Sequence, residues 1–344
     1  MEVQLNTLYV VTRGATIRRQ SETLQVVVDR QVKLTVPIHQ IESVAAFGGV
    51  AVTPPAMGLC ADRGAAVAFL TESGRLVARV DAPGSGNVLL RREQFRKADT
   101  PAFAAGVARC VVAGKVQNCR HLLLRAGREA DAAADRDALQ WAADRLADTL
   151  PLLEAETNLD SVRGREGDAA RNYFAAFGAM VKADREHFAP AGRTRRPPLD
   201  RMNALLSFLY ALLTHDCVAA CAAAGLDPSV GFLHVDRPGR PGLALDLMEE
   251  FRPLLCDRLA LALVNRRQVA ADGFVVRDGG AVSMDDRTRK AVLGAYQGRK
   301  REEVLHPLLG QKVPVGRLPF LQARVLARHL RGDLPSYVPC VPKN

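Results

Sequence analysis

Zinc and disulfide frameworks are the first things this sequence lacks. Its seven cysteines, at 60, 110, 119, 217, 221, 256 and 340, are odd in number and form no CxxC pair. Several fall inside apolar helical patterns, so they read as small core residues of a reduced, cytoplasmic protein. Cys217 and Cys221 lie four apart with His215 just upstream, but no four-ligand zinc set accompanies them. A basic segment before a long apolar core is also missing from the opening MEVQLNTLYVVTRG, which argues against a secretory leader. One stretch, Ala204 to Leu226, has the length of a membrane span, but Thr214-His215-Asp216 interrupts it and no second span follows. A charged residue there is costly in lipid, so a buried core helix is expected and no membrane partner. Internal repeats and low-complexity tracts are absent as well.

What the chain does have is length, apolar residues and positive charge. With 344 residues it can form two domains, and 48% hydrophobic composition supports a sizeable core. Lys and Arg number 47 against 37 Asp and Glu, a net charge of +10. That excess suits a polyanionic partner, because each neutralised phosphate releases condensed counterions. An arginine-favouring genome gives the same balance without any such partner.

The first eighty or so residues predict strands. TLYVV, ATIRR, LQVVV, KLTVP, SVAAFG, AVAFLT and LVARV are short, rich in β-branched residues and separated by polar or Gly/Pro turns. PPAMGLCADRG is a helical interruption among them. The Pro-Gly-Ser-Gly run within Asp81 to Arg92 predicts a hinge. Beyond it, PAFAAGVARCVVAGKVQNCRHLLLRAG and DALQWAADRLADTLPLLEA recur at helical spacing, and helical signals continue to about Leu330. The tail GDLPSYVPCVPKN, with three prolines, predicts coil. The expected fold class is α+β, with a β-rich domain over 1–85 followed by a larger all-helical domain over 86–344.

Two acidic phrases carry the chemistry. In NLDSVRGREGDAARNYFAAF, Ser161 is placed to cap a helix, and Glu166 sits between Gly164 and Gly167, small neighbours that let a ligand or backbone approach. In VGFLHVDRPGRPGLALDLMEEFRP, His234 ends an apolar phrase and Asp246 and Glu249 share one helix face. Like charges so placed repel unless a cation lies between them. Glu250 satisfies the spacing equally well, so spacing leaves the two glutamates open. Carboxylates with one imidazole suit Mn²⁺ or Mg²⁺ better than Zn²⁺, and a divalent ion in a basic protein points to phosphoryl transfer on nucleic acid. Between the two phrases lies a basic loop, Glu186 to Arg201, with Arg193, Arg195 and Arg196. It reads either as a solvated loop or as a DNA-backbone contact.

Four phrases in order, REGDAARNYF, RRPPLDRMNALLSFLYALL, VGFLHVDRPGRPGLALDLMEEFRP and QGRKREEVLHP, resemble the CRISPR-associated endonuclease-integrases of the adaptation module. LNTLYVVTRGATI and SGNVLLRREQFR look like the variant of type I-C systems. The resemblance implies an N-terminal β-rich dimerisation domain and a helical catalytic domain. It also implies a homodimer acting on double-stranded DNA (prespacer and CRISPR repeat), with a small ferredoxin-like CRISPR-associated partner and an iron-sulfur CRISPR-associated nuclease. Its metal ligands fall on Glu166, His234 and Glu249, which selects Glu249 over Glu250. Asp246 is expected to assist catalysis through water or as a base. Arg252 is expected near phosphate, and Tyr173 either at DNA or in the core. The implied reaction is transesterification, a DNA 3′-hydroxyl attacking a phosphodiester at a repeat edge. A metal-dependent phosphoesterase of small substrates and a non-catalytic nucleic-acid scaffold are the competing readings.

Overall fold

A computed structural model describes residues 7–80 and 87–342. The chain divides into two compact units, Met1–Ser85 and Gly86–Asn344. The Pro-Gly-Ser-Gly hinge falls outside the described residues.

In the first unit the seven predicted strands form, and an eighth, very short one joins them. β1 (Thr7–Val10), β5 (Ser43–Phe47), β7 (Ala66–Leu70) and β8 (Leu76–Val80) make one sheet in the order β1-β5-β7-β8, parallel except for the β7–β8 pair. β2 (Thr16–Gln20), β3 (Thr23–Val28), β4 (Gln31–Pro37) and β6 (Ala51–Val52) make the other, in the order β4-β3-β2-β6. α1 (Pro54–Asp62) is the predicted helical interruption. Strand alternation turns Leu8, Val10, Ile17, Leu24 and Val26 inward, and they join Val44, Val67 and Leu59 in one apolar core. β4, at a sheet edge, is mostly exposed and carries Lys33, a charge of the kind that discourages uncontrolled edge pairing.

The second unit is mostly helical. α2 (Val88–Ala98) leads into α3 (Pro101–Arg128), which starts on a proline and packs against α4 (Ala133–Ala155), α5 (Leu159–Ala175) and α8 (Gly242–Phe251). α6 (Arg185–Phe188) is one turn. α7 (Arg201–Ala223) is the helix with the length of a membrane span, and 72% of its most apolar stretch is buried inside the fold. It is a core helix, as its interrupted pattern predicts. α8 runs into a wider π-type turn at Arg252–Asp257 before α9 (Arg258–Asn265). Pro253 has no N–H to give the carbonyl four residues back, which accounts for the widening there. α10 (Asp286–Arg301) and α11 (Leu318–Arg331) complete the helices.

Three expectations change. The second unit is not all-helical: β9 (Phe274–Val276) pairs with β10 (Val282–Met284), and β11 (Glu303–Leu305) with β12 (Lys312–Pro314). Strands of three residues are too short to show a period of two. The cap of α5 is Asn158, whose side chain accepts from the N–H groups of Asp160 and Ser161, and not Ser161 itself. The proline-rich tail is coil, but it is packed coil: Tyr337 and Cys340 are buried.

Candidate active site

Four segments of the helical unit meet around the acidic residues. α5 supplies Glu166, the 227–234 loop supplies His234, α8 supplies Asp246 and Glu249, and α3 supplies Lys115, which sequence reasoning missed. The Lys115 ammonium donates to Glu166 Oε1 and lies 2.6 Å from Glu249 Oε2. Arg252 Nη1 stands 2.9 Å from Glu249 Oε1. Burial alone would raise the Glu249 carboxyl, but Arg252, Lys115 and His234 outweigh it and hold it down to about 2. Burial likewise opposes the charge on Lys115, and Glu249 and Glu166 override it, raising the ammonium above its ordinary value.

Asp246 stands behind His234, in contact with its ring. Its Oδ2 accepts from the N–H groups of Phe232 and Leu233 at 2.6 and 3.0 Å, and its Oδ1 from the His234 N–H at 2.9 Å and His234 Nδ1 at 2.7 Å. These four contacts hold the loop and the ring against α8. With Nδ1 held on Asp246, the other ring nitrogen, Nε2, is turned toward Glu249 Oε1, 3.9 Å away.

The adjacent glutamates have different partners. Glu250 accepts from the Tyr337 hydroxyl at 2.5 Å and the Cys340 N–H at 2.7 Å, with the Gln322 amide at 3.4 Å. Burial pushes its carboxyl up to about 7. It anchors the tail, whereas Glu249 faces Glu166 and His234.

Other predicted residues separate. Tyr173 is 2% exposed and donates its hydroxyl to Asp257 Oδ2 at 2.8 Å, so it is a core residue and does not reach DNA. Arg193 is turned inward: it donates to Asn203 Oδ1 at 2.8 Å and Ser207 Oγ at 3.1 Å, and lies over the Tyr210 ring at 5.2 Å. Arg195 and Arg196 are exposed on the same loop. Arg252 covers the same ring at 4.8 Å, so Tyr210 touches both the arginine that anchors the basic loop and the one that pairs with Glu249. Gly164 and Gly167 interrupt neither the helix nor the space around it. A side chain at either would meet nothing within 4 Å, so the flank of Glu166 is open to a ligand, not to a second backbone.

Lys115 leaves only a faint sequence signal, a lone cation in the apolar run VVAGKVQNC. Arg163, one turn before Glu166, is a second missed residue. Its Nε donates to the Leu233 carbonyl at 2.7 Å, tying α5 to the His234 loop.

The chemistry of this donor set fits a divalent cation. Glu249 Oε2 is buried without a hydrogen-bond donor in proper geometry, despite its charge contact with Lys115. Together with Glu166 and the oriented His234 Nε2 it offers two hard oxygens and one imidazole. Among the described residues no group of three His, Cys, Asp or Glu side chains stands ready-formed around one point. The Lys115 ammonium stands between the two glutamates instead.

A family profile described as CRISPR associated protein Cas1 matches residues 8–298. The chain belongs to the Cas1 family. A CRISPR-associated endonuclease Cas1 of Moorella thermoacetica is 50% identical over 339 residues, covering 98% of this chain and 99% of that one. One from Rhodospirillum rubrum is 51% identical over 343 residues, covering 98% and 99%. Among solved structures, a Cas6-RT-Cas1–Cas2 complex aligns with a TM-score of 0.82 at 24% identity, over 100% of this chain and 37% of that one. A casposase bound to integration product aligns with a TM-score of 0.82 at 19% identity, over 97% and 93%. These two share the Cas1 fold at low identity.

Proposed function

We propose that this Cas1-family chain is a metal-dependent DNA endonuclease-integrase of CRISPR adaptation, joining 3′-hydroxyl ends of captured DNA to repeat edges by transesterification. One observation carries the reading: Glu166, His234 and Glu249, far apart in sequence, converge in the helical unit, and Asp246 orients the imidazole toward Glu249. These three residues would hold Mn²⁺ or Mg²⁺. A bound divalent ion would polarise the scissile phosphate and favour a deprotonated attacking oxygen. Asp246 fixes the His234 ring, Arg252 balances Glu249 and extends positive charge toward the substrate, and Arg195 and Arg196 bind DNA backbone.

The names of the relatives support nuclease chemistry, and a casposase bound to an integration product has the same fold. The fold neighbour in a Cas6-RT-Cas1–Cas2 complex supports assembly with a CRISPR-associated partner protein, and that this partner is small and ferredoxin-like rests on the sequence resemblance. In the same reading the chain is a homodimer through residues 1–85. An iron-sulfur nuclease partner and the type I-C assignment rest on the sequence resemblance.

Strand transfer of a short duplex into a repeat-bearing plasmid, with the small partner and Mn²⁺, tests the proposal. His234→Ala and Glu166→Ala, folded by circular dichroism, should each lose about 100-fold or more in joining, the scale expected when a transition-state interaction is removed. Joining at wild-type rates by either folded variant would reduce the cluster to a structural role.

A further inference from the structure

We infer that Lys115 is a displaceable occupant of the acidic site, its ammonium standing in for the divalent cation and withdrawing when the ion binds. The inference rests on the metal-site reading above and adds a device to it. Lys115 contacts two of the three proposed ligands, Glu166 Oε1 and, at 2.6 Å, Glu249 Oε2. Divalent ions sit roughly 2.0–2.6 Å from carboxylate oxygens. An ion on these same oxygens would press against the ammonium, so the two cations exclude each other. The side chain is 9% exposed, so it is a built-in element of the site and not a surface lysine swinging past.

Room for the exchange adjoins it. A cavity of about 10 Å³ is walled in part by Lys115, Tyr173, Arg195, Tyr210, Arg252 and Asp257. That is close to the space one water-sized group requires, and an ammonium there would meet Asp257, whose two oxygens accept from Tyr173 and Tyr210, beside the guanidinium groups of Arg195 and Arg252. The charge balance gives the exchange a consequence. With Lys115 in place, Glu166 and Glu249 are matched by Lys115 and Arg252. With a divalent ion added and the ammonium retained nearby, the site gains two positive charges and attracts a phosphate. An empty site thus stays closed to DNA phosphate, and a loaded one recruits it.

Mn²⁺ binding to the full chain, followed by the electron paramagnetic resonance of the free ion, tests this without reading activity. Lys115→Gln removes the competitor and should bind Mn²⁺ about tenfold or more tightly than wild type, a modest charge–charge effect. Lys115→Arg keeps both ion pairs but is too large and planar for the cavity, so it should bind about tenfold or more weakly. Lys115→Met, equally uncharged and expected to bind Mn²⁺ about tenfold more tightly, keeps the test open if the Gln variant does not fold. A merely structural lysine predicts weaker binding in both variants, with Arg the milder. That pattern, or Lys115→Arg binding like wild type, overturns the inference. His234→Ala separates the two failures. If wild type binds Mn²⁺ and His234→Ala binds it weakly, the site stands whatever Lys115 does. If wild type does not bind, or His234→Ala binds equally well, the metal-site reading fails and takes the inference with it.

Discussion

At the scale of single residues, the cost of buried charge decides what each carboxylate can do. Asp257 is 1% exposed and accepts hydroxyl hydrogen bonds from Tyr173 and Tyr210 at 2.8 and 2.6 Å. Burial outweighs those bonds and raises its carboxyl from 3.8 to about 6. A folded-state value above the unfolded one means that the folded protein holds the proton longer. The stabilisation is complete below about pH 4 and is lost as pH rises to about 6, a change of about 3 kcal/mol. Asp257→Asn should remove that part of the pH dependence. Urea unfolding at pH 4 and pH 6.5 measures it: Glu250, also raised by burial, contributes a loss of the same sign, so the wild-type difference should shrink in Asp257→Asn without vanishing, and an undiminished difference would contradict this assignment. Glu249 lies at the other extreme, since its cationic neighbours keep it ionised through any physiological pH.

At the scale of elements, the His234 loop has no regular hydrogen-bonding ladder and is held by side chains from around it. Gln94 of α2 donates to the carbonyls of Asp227 and Val230 at 2.8 and 2.7 Å, Arg163 of α5 takes the Leu233 carbonyl, and Asp246 of α8 takes three successive N–H groups. Two glycines allow the contact with α8. A Cβ at Gly231 would lie 2.7 Å from Asp246 Oδ2 and 2.8 Å from the Gly242 carbonyl carbon, and backbone cannot yield as a flexible side chain can. Gly231→Ala should therefore cost about 1–3 kcal/mol in thermal unfolding and weaken Mn²⁺ binding, because the displaced partner is the one orienting His234. Full stability with normal ion binding would show that the loop adapts. Such a loop also marks where sequence reading stops. The seven strands were legible because alternation and turn residues agree, and α3, α4 and α7 because long apolar patterns have room to repeat. Glu166, His234 and Glu249 stood out through ordered phrases that resemble a known family. Lys115 did not, since one cation in a 28-residue helix carries no periodic signal. Nor did the packed tail, because Tyr337 and Cys340 reach Glu250 through contacts far apart in the chain.

At the scale of the whole molecule, the positive excess is unevenly shared. Residues 86–344 hold 39 of the 47 Lys and Arg and 30 of the 37 Asp and Glu, so nearly all the net charge lies in the unit that carries the site. Net charge does not say which cations are exposed to a polyanion, but their partners and exposure do. Arg193 spends its guanidinium on Asn203, Ser207 and the Tyr210 ring, so Arg193→Ala should act mainly on stability. Arg195 and Arg196 are exposed and free to neutralise phosphates. Each phosphate contact contributes about 0.9 to the slope of log affinity against log salt on duplex DNA. Replacing both with alanine should lower the slope magnitude by about 2 while leaving the unfolding temperature unchanged, measured by fluorescence anisotropy of a labelled duplex between 50 and 200 mM salt. A small-substrate phosphoesterase would give shallow salt dependence in wild type and variant alike. A steep slope unaffected by the pair would place the backbone contacts on other arginines of this unit and leave the loop as a solvated surface.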